Sequence, residues 1–314
     1  MGNKLIVTAA PHITGPDTTQ KIMQRVCIAL LPTLIASILI FGINSLILTV
    51  ITVAACMFFE WGYCKLVGRE VPVGDFSAAV TGVLLAFNLP ATLPWWMAIV
   101  GAFIAIVIVK QLFGGLGYNV ANPAIVARIA LAMGFASRMA NYPHPANGID
   151  ALASATPLAV SGQMGAADYV TLLLGNHGGV LGETCAITLL LGGIYLIATK
   201  VISPVIPVTY LATVAVLSAV SGRDPIVQLL SGGLMLGAFF MATDYVTSPT
   251  TNKGKIIFGL GLGIITCAIR FLGTMNEGVS FAILLMNLLV PYIEILTRQD
   301  RLGIAKAKKE GAAK

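Results

Sequence analysis

The stretch Gly82-Val-Leu-Leu-Ala-Phe-Asn-Leu-Pro-Ala-Thr-Leu-Pro94 is apolar enough to enter a membrane, yet two prolines interrupt its second half. Proline lacks a backbone N–H and stops a helix, which frees carbonyl groups in the preceding turn. Inside a bilayer, irregular backbone is tolerated only where it is buried in protein or lines a polar cavity. We therefore predict a helix that breaks within the membrane between Asn88 and Pro94. An ordinary loop between two helices is the alternative.

The composition extends this prediction to the whole chain. Of its 314 residues, 57% are hydrophobic and 10% are charged, and the mean hydropathy is +0.90, far outside the range of soluble globular proteins. The apolar runs are long and continuous, which favours membrane helices over the alternating strands of a β-barrel. We predict an all-α polytopic membrane protein with about ten transmembrane helices, some of them tilted or broken. The predicted segments are 22–43, 45–64, 76–89, 94–110, 122–138, 184–200, 205–221, 226–243, 256–272 and 279–297.

The distribution of the 19 lysines and arginines predicts the orientation of these segments. When the segments alternate and the N-terminus starts inside, all of the basic residues lie on the cytoplasmic side except Arg128, Arg138, Arg223 and Arg270. This bias is the one that cytoplasmic loops carry. The net charge of +6 is explained by this topology and by anionic lipids, so it predicts a lipid membrane and no nucleic acid as partner.

This arrangement divides the chain into five parts. A cytoplasmic N-terminal segment (1–21) precedes a first membrane unit (22–138), and an extracytoplasmic loop region (139–183) separates it from a second membrane unit (184–297). A basic tail (298–314), also cytoplasmic, follows. The N-terminal segment is polar and lacks the features of a secretory leader, so we expect the first helix to insert the chain into the membrane.

The two membrane units share a faint internal repeat. Phe113-Gly-Gly115 and Ala124-Ile125 align without gaps on Phe271-Leu-Gly273 and Ala282-Ile283, and the stretch quoted above resembles Gly233–Pro249. Five helices per unit, an odd number, would insert the second copy upside down, as in transporters built from inverted repeats. We predict such an inverted 5+5 repeat with broken helices. Chance similarity among small apolar residues is the alternative.

The cysteines and histidines predict neither a metal site nor an iron–sulfur cluster in this chain. The five cysteines are scattered through apolar segments without Cys-x-x-Cys spacing, and the three histidines lie apart in polar segments. The glycines around Gly115-Leu-Gly117 lack the strand context and the third glycine of a dinucleotide-binding fingerprint. We therefore assign no catalytic residue and no metal ligand to the chain itself.

A further break is predicted at Gly114-Gly-Leu-Gly-Tyr-Asn-Val-Ala-Asn-Pro123. Asn122-Pro123 has the form of a helix start, with a capping side chain before proline at the first helical position. Free amides at such a start can hold an anion such as a phosphate. Arg128 lies in the same predicted helix and is costly in hydrocarbon, so we expect it to pair with a carboxylate or a cofactor. The acidic candidates for ion-pair or relay roles are Glu60, Asp75, Glu183 and Asp244.

Several motifs, spread along nearly the whole chain, occur together in one known family. They comprise an entry segment, the glycine-rich break, the end of the eighth predicted segment and the loop region. The stretches are Pro11-His12, Ile22-Met23, Ala29-Leu-Leu-Pro32, Gly114–Asn119, Asn122-Pro-Ala124, Met241-Ala-Thr-Asp244, Thr247-Ser-Pro249 and Asp150-Ala-Leu-Ala-Ser-Ala-Thr156. In this combination the chain resembles the RnfD family of the Rnf electron-transport complex, which shares its fold with the NqrB component of the Na⁺-translocating NADH:quinone reductase.

The resemblance implies that Thr156 carries FMN, joined through its phosphate to the threonine hydroxyl. The family's attachment pattern reads Asp, two free positions, Ser or Thr, Gly, Ala, Thr. Asp150, Ala155 and Thr156 match this pattern, whereas Ala153 and Ser154 depart from it. Small neighbours such as Ser154 and Ala155 leave room for the flavin-transfer enzyme. Considered without the family, a threonine before proline in a loop is an ordinary turn residue.

The resemblance also implies a function. In the family, the complex couples electron flow between reduced ferredoxin and NAD⁺ to Na⁺ or H⁺ translocation across the prokaryotic cytoplasmic membrane. The RnfD component supplies a flavin relay, and partner subunits supply the remaining membrane parts, the iron–sulfur centres and the NAD site, so the isolated chain is expected to be inactive. A second, non-covalent flavin between the membrane units is a further expectation. Besides the Thr156 loop, the expected cofactor-binding residues are Asn119, Asn122, Arg128, Asp244 and Thr247.

Two alternatives are open at this point. One is an NqrB-like component of the Na⁺-translocating NADH:quinone reductase, which carries a longer N-terminal extension than the roughly 20 residues that precede the first predicted helix here. The other is a solute channel or transporter of the urea-transporter type, which is also built from inverted five-helix repeats. Fold alone does not decide between a redox subunit and a channel.

Overall fold

The computed structural model describes residues 17–142, 166–175, 177–273 and 277–298, and these residues form helices joined by loops, without β-strands. The helices of the first membrane unit lie where the apolar segments predict them. They are α1 (Thr19–Phe41), α2 (Ile43–Val67), α3 (Ser77–Phe87), α4 (Trp95–Phe103, continued by π-helical turns over Ile104–Gln111) and α5 (Pro123–Gly134), followed by the short α6 (Ala136–Met139).

The second membrane unit repeats much of this order. After α7 (Ala166–Leu174), its helices are α8 (Ala186–Ala198), α9 (Val205–Val220), α10 (Pro225–Leu230), α11 (Leu234–Leu236, continued by π-helical turns over Gly237–Met241), α12 (Asn252–Leu272) and α13 (Val279–Thr297). In both units a short helix ends at an irregular segment, and a longer helix, a loop and a final helix follow.

Four of the described helices, α1, α2, α12 and α13, are long and apolar enough to cross a membrane by length and composition. Shorter apolar helices, α3, α4, α5, α8 and α9, accompany them. At 1.5 Å per residue, the 11 residues of α3 extend only about 16 Å, roughly half of the hydrocarbon thickness. The chain is therefore an all-helical protein with membrane-spanning helices, several of which are shorter than a full crossing.

A single glycine joins the first two long helices. Gly42 has φ 79°, in the left-handed region that side chains disfavour, and its N–H donates to the carbonyl of Ile38 to close the last turn of α1. Because α2 begins at the next residue, Ile43, the chain turns back without a loop. The two helices consequently form a tight hairpin.

α3 ends where the prolines predict that the helix stops, and the carbonyls at its end have protein partners. α3 ends at Phe87, and residues 88–94 are not helical. The carbonyl of Phe87 accepts from the N–H of Gly182 (2.8 Å), and that of Leu89 accepts from the N–H of Leu181 (3.1 Å). A side chain at Gly182 would collide with Phe87, so the contact requires glycine. The loop before α8 thus satisfies backbone groups that the prolines expose.

The predicted segment 226–243 is wrong as a single helix, because the chain breaks between α10 and α11. Gly232 adopts φ 69° at this point, which turns the chain away from a helical path. The carbonyls released at the break accept from Arg270, whose Nη1 lies 2.6 Å from Gln228 O and whose Nη2 lies 3.1 Å from Ser231 O. The buried guanidinium of Arg270 thereby supplies hydrogen-bond donors to the unpaired carbonyl groups at the end of α10.

Helix α7 lies inside the region predicted as a loop, so that prediction is incomplete. Its Leu172 is buried, and the hydroxyl of Tyr169 donates to Asp224, the N-cap residue of α10. The nine residues of α7 are flanked by polar and glycine-containing segments. For this reason the sequence pattern did not indicate a helix there. Sequence also placed the end of the fifth segment at 138, whereas α5 ends at Gly134.

Helices of the two membrane units pack directly on each other. The first helices of the units, α1 and α8, pack on each other, and so do the last, α5 and α13. Within the units, α2 packs on α3 and α4, and α9 packs on α12. Gly192 of α8 is directly against the backbone of Ala29 in α1, so small residues let these helices approach closely, as is common between membrane helices.

We expect Gly263→Ala in α12 to destabilise the fold. A Cβ at Gly263 would lie 2.5 Å from the Cβ of Thr213 in α9, and relieving such overpacking costs about 1–3 kcal/mol. The matched control is Gly62→Ala in α2, where nothing lies within 4 Å of the added carbon and alanine favours the helix. The melting temperature of the full chain in detergent should fall for Gly263→Ala and stay level or rise for Gly62→Ala. Equal values for the two variants would contradict the close packing of α9 and α12.

Candidate functional site

The guanidinium of Arg128 lies at the centre of a buried polar cluster in which four separate segments meet. Arg128 is 6% exposed. Its Nη1 donates to Asn88 Oδ1, at the end of α3, and to Ser280 Oγ, in the first turn of α13, both at 2.9 Å. The side chain of Asn88 also donates to the carbonyl of Leu84 (2.6 Å). Arg128 therefore links the broken end of a helix in one membrane unit to the last helix of the other.

The same guanidinium pairs with two carboxylates. Its Nη2 lies 3.2 Å from Glu183 Oε1 and also contacts Glu277 Oε2. The prediction that Arg128 pairs with a carboxylate is confirmed, and Glu183 was one of the acidic candidates. Glu277 was missed, although its position just before an apolar run marks it as a charge at a helix start. Both carboxylates pair with Nη2, while Nη1 donates to the uncharged side chains of Asn88 and Ser280. A cation in hydrocarbon requires such partners.

A cavity of about 260 Å³ opens beside this cluster, and we call it the Arg128 cavity. Glu277 and Ser280 line it together with apolar groups from the second half of α5 and from residues after it. One oxygen of Glu277, Oε1, is buried without a hydrogen-bond partner among the described residues. The remaining lining residues are Arg128, Ile129, Ala132, Ala136, Met139, Ala140, Tyr142, Val180 and Phe281.

A second cavity, of about 100 Å³, lies at the other end of α5, and we call it the Asp244 cavity. Three of the predicted site residues, Asn119, Asn122 and Asp244, line it, as does Lys110. Its apolar walls come from α1, α3, α8 and the π-helical end of α11 and include Met23, Leu84, Leu196, Phe239 and Phe240. A few polar groups among apolar walls are typical of a small-molecule site.

Hydrogen bonds connect the predicted residues around the Asp244 cavity. Thr247 Oγ1 donates to Asp244 Oδ2 (3.1 Å), and Asn119 Nδ2 donates to the carbonyl of Ala121 (3.1 Å). Asn122 Nδ2 donates to the carbonyl of Met241, the last residue of the π-helical turns, at 3.3 Å. The side-chain amide of Asn287 is assigned in the orientation that allows both of its ends to form hydrogen bonds. Its oxygen then accepts from the N–H of Asn122 (3.1 Å), and its nitrogen donates to the carbonyl of Thr247 (3.0 Å).

The anion site predicted at the start of α5 is wrong. Asn122 caps the helix as predicted, but its Oδ1 accepts from the amides of Ala124 (3.0 Å) and Ile125 (3.4 Å). These are the donors that a phosphate would need. Because the capping side chain already occupies them, the helix start closes one end of the Asp244 cavity instead of holding an anion.

The two cavities are separated along α5. Asn122 and Arg128 are six residues apart on the helix, which corresponds to about 9 Å along its axis. Between them lies Asn88, whose side chain also contacts the sulfur of Met241 at 3.7 Å. The structure therefore brings Asn119, Asn122, Asp244 and Thr247 together but places Arg128 at a different cavity.

Lys110, which lines the Asp244 cavity, belongs to a buried ion pair. Its Nζ donates to Glu60 Oε1 (2.7 Å) and Ser77 Oγ (2.6 Å), and Gln111 Nε2 donates to the same Glu60 oxygen (2.9 Å). Lys110 is 3% exposed and Glu60 is fully buried. The orientation argument treated Lys110 as a charge at the cytoplasmic end of its segment. The structure instead neutralises it inside the protein, so it does not act as a loop charge.

The predicted flavin-attachment residues Asp150, Ser154, Ala155 and Thr156 lie outside the described residues. The described part of the chain ends before them at Tyr142, which lines the Arg128 cavity. The covalent site therefore stays a prediction from sequence.

Comparison with known proteins gives full-length relatives. The sequence model of the NQR2, RnfD, RnfE family matches residues 6–303. The D subunit of the Na(+)-translocating ferredoxin:NAD(+) oxidoreductase complex of Acetobacterium woodii is 46% identical over 315 residues, which cover 98% of each chain. The D subunit of the proton-translocating ferredoxin:NAD(+) oxidoreductase complex of Clostridium ljungdahlii is 38% identical, covering 96% of this chain and 97% of the relative. The D subunit of an ion-translocating oxidoreductase complex of Stutzerimonas stutzeri is also 38% identical, covering 95% and 96%.

We expect Arg128→Met to destabilise the chain strongly. The change leaves Glu183 and Glu277 without their cation, and breaking a buried ion pair on one side costs about 3–5 kcal/mol. The melting temperature in detergent and the yield of monodisperse protein should both fall. Arg128→Met combined with Glu183→Gln and Glu277→Gln should recover much of the loss, because fewer buried charges are left unpaired.

Arg138→Met is the matched control for this experiment, because Arg138 is exposed. It should behave like the wild type. A wild-type melting temperature for Arg128→Met would show that the buried cluster does not hold the two membrane units together.

The Lys110–Glu60 pair gives an independent prediction. Lys110→Met should lower the melting temperature, because it strips a fully buried carboxylate of its cation, and adding Glu60→Gln should restore part of the loss. The control is Lys65→Met, which removes an exposed lysine one turn beyond Glu60 on α2. A double-mutant cycle measures the coupling, and additive effects of the two substitutions would argue against a functional ion pair at this position.

Proposed function

The chain belongs to the NQR2, RnfD, RnfE family, and on that premise we propose that it is the RnfD-type membrane subunit of an ion-translocating ferredoxin:NAD⁺ oxidoreductase complex. The observation that carries the proposal is the similarity to the Acetobacterium woodii protein over 98% of both chains. Similarity of that extent includes both membrane units and the loop region between them. In this role the chain relays electrons and takes part in coupling their flow to ion translocation.

We propose Thr156 as the residue that carries FMN through a phosphoester bond. The sequence around it keeps the aspartate, alanine and acceptor threonine of the family pattern. When bound, the flavin supplies the redox chemistry, and the protein fixes its position and its electrostatic surroundings. The covalent bond would keep the relay in place during turnover.

Both described cavities combine polar groups with apolar walls, the mixture found in small-molecule sites. We propose the Asp244 cavity for a second, non-covalent flavin, held by Asn119, Asn122 and Asp244.

The partners follow from the same proposal. The iron–sulfur centres and the NAD site belong to other subunits, and a flavin-transfer enzyme attaches the FMN. The chain alone should show no ferredoxin:NAD⁺ activity. The names of the relatives include both Na⁺ and H⁺ as the translocated ion, so we propose Na⁺ or H⁺ as the coupling ion.

We also propose ten membrane segments arranged as an inverted repeat, with both termini on the cytoplasmic side of a prokaryotic cytoplasmic membrane and Thr156 on the opposite side. The equivalent order of helices in the two units and the pairing of α1 with α8 and α5 with α13 support the repeat. The distribution of basic residues supports the orientation.

A redox role is favoured over a solute channel by the centre of the fold. Arg128, Glu183 and Asn88 form a buried hydrogen-bonded set at the Arg128 cavity. A permeating solute would have to break these bonds within a low-dielectric interior. An electron relay needs no such passage.

We expect Thr156→Ala to abolish covalent flavin. Wild type and variant are produced with the partner subunits and an active flavin-transfer enzyme, and flavin fluorescence is read from the denatured gel band of this chain. The wild-type band should fluoresce and the variant band should be dark, because the phosphoester needs the hydroxyl.

Ser161→Ala is the matched control, since it removes another hydroxyl from the same segment and should leave the fluorescence unchanged. A dark wild-type band, or a fluorescent Thr156→Ala band, would overturn the assignment of Thr156.

A further inference from the structure

A chain of hydrogen bonds leads from the segment between α2 and α3 to the Asp244 cavity. Asp75 lies in that segment and is partly exposed. Its Oδ1 accepts from Ser77 Oγ (2.6 Å), and Ser77 Oγ in turn accepts from Lys110 Nζ (2.6 Å). Ser77 and Lys110 are buried and line the cavity. The three side chains therefore connect a titratable group near the surface with the inside of the protein.

The ammonium of Lys110 has a donor that its protein partners do not use. An ammonium carries three N–H groups. In the described part of the chain, Nζ donates to Glu60 and Ser77, so one N–H is available to a ligand in the cavity. Lys110 also lies in the π-helical turns at the end of α4, and such turns are frequent at functional sites.

A buried carboxylate holds this ammonium in place. Glu60 Oε1 accepts from Lys110 Nζ (2.7 Å) and from Gln111 Nε2 (2.9 Å), while Oε2 is buried without a partner among the described residues. A buried charge that loses its counter-charge is costly. A neutral amine at Lys110 would leave Glu60 without its cation, so a proton that Lys110 gives away is replaced.

We propose that Asp75, Ser77 and Lys110 form a proton-delivery route from the cytoplasmic side to the ligand of the Asp244 cavity. The inference rests on the proposed function, in which that ligand is a non-covalent flavin. A flavin takes up protons when it accepts electrons, and here the electrons come from a redox centre of a partner subunit. The proposed orientation places the segment between α2 and α3 on the cytoplasmic side, so the protons come from there.

The route moves one proton at a time and leaves its side chains unchanged. Lys110 gives an N–H proton to a ring nitrogen of the ligand, where an N–H bond forms as an electron arrives. The Ser77 hydroxyl turns and gives its proton to the neutral amine of Lys110. It receives a proton from the carboxylic acid of Asp75, which has taken that proton from solvent. The net change is one proton transferred from solvent to the ligand for each electron that the ligand accepts.

Asp75→Asn tests the entry of the route and keeps the other contact of this side chain. Asp75 Oδ1 also accepts from the N–H of Ser77 (2.7 Å) at the start of α3, and an asparagine oxygen accepts there as well. The full chain is produced without the flavin-transfer enzyme, so any flavin that it carries is non-covalent, and extraction measures its amount. A flash-excited ruthenium complex reduces the flavin, and a pH-indicator dye follows proton uptake.

Proton uptake in Asp75→Asn should slow by roughly 100-fold, the lower end of what a positioned acid contributes, while flavin content and melting temperature stay at the wild-type values. Formate should restore the rate, because a small weak acid replaces the lost carboxyl group. Glu70→Gln is the matched control, since it removes an exposed carboxylate from the same segment, and it should behave like the wild type.

Ser77→Ala interrupts the route beyond its entry. Proton uptake should slow in this variant too, but formate should not restore it, because the missing hydroxyl lies between the entry and Lys110. Ser218→Ala is the control, since it removes another buried serine hydroxyl, which donates to a backbone carbonyl in α9. It should leave the rate of proton uptake unchanged.

The outcomes separate this inference from the proposed function. A wild-type chain without extractable flavin would contradict the second flavin, and the route would fall with it. A normal flavin content with Asp75→Asn and Ser77→Ala indistinguishable from their controls would overturn the route alone. Slow uptake in Asp75→Asn that formate does not restore would also overturn it, because a structural role of Asp75 would then account for the effect.

Discussion

The fold depends on how a guanidinium is accommodated inside a membrane protein. Arg128 cannot remain in hydrocarbon without neutralising partners, and α5 alone offers it none. Its hydrogen bonds draw in Asn88 from a broken helix end, Ser280 from α13, and the carboxylates of Glu183 and Glu277. Two sets of contacts depend on the end of α3 at Phe87. The carbonyls of Phe87 and Leu89 are free to accept from the N–H groups of residues 181 and 182, and Asn88 lies within hydrogen-bonding distance of Arg128. A continuous α3 would satisfy neither contact.

The architecture was predictable where local chemistry determines it and was missed where a distant partner does. Apolar runs located the long helices, and the prolines after Asn88 correctly indicated a break. The predicted helix 226–243 failed because Gly232 turns the chain, and the turn is stabilised by Arg270, which lies about 40 residues farther along the sequence. Likewise, no local signal connects the carbonyl of Phe87 with Gly182.

The candidate site shows the same division. Asn119, Asn122 and Asp244 were selected from separate motifs, and the structure places all three around one cavity. The prediction of an anion site at Asn122 was wrong because the side chain of Asn122 itself accepts from the free amides of the helix start. Asparagine is a preferred N-cap residue for this reason, so the sequence already indicated that the amides would be occupied. The partnership of Arg128 with Glu277 depends on packing between α5 and α13, so residue type alone could indicate only that some carboxylate was required.

These contacts form a buried, ion-paired centre that links the two membrane units, and the proposed electron relay through Thr156 is the central claim to test. The most direct measurement is peptide mass spectrometry of the chain isolated from an active complex. Trypsin cleaves after Arg138 and Lys200, and no lysine or arginine lies between them, so one fragment contains Thr156. The account predicts that this fragment carries the mass of FMN less one water, with fragmentation locating it at Thr156. An unmodified fragment from a complex that transfers electrons from ferredoxin to NAD⁺ would contradict it.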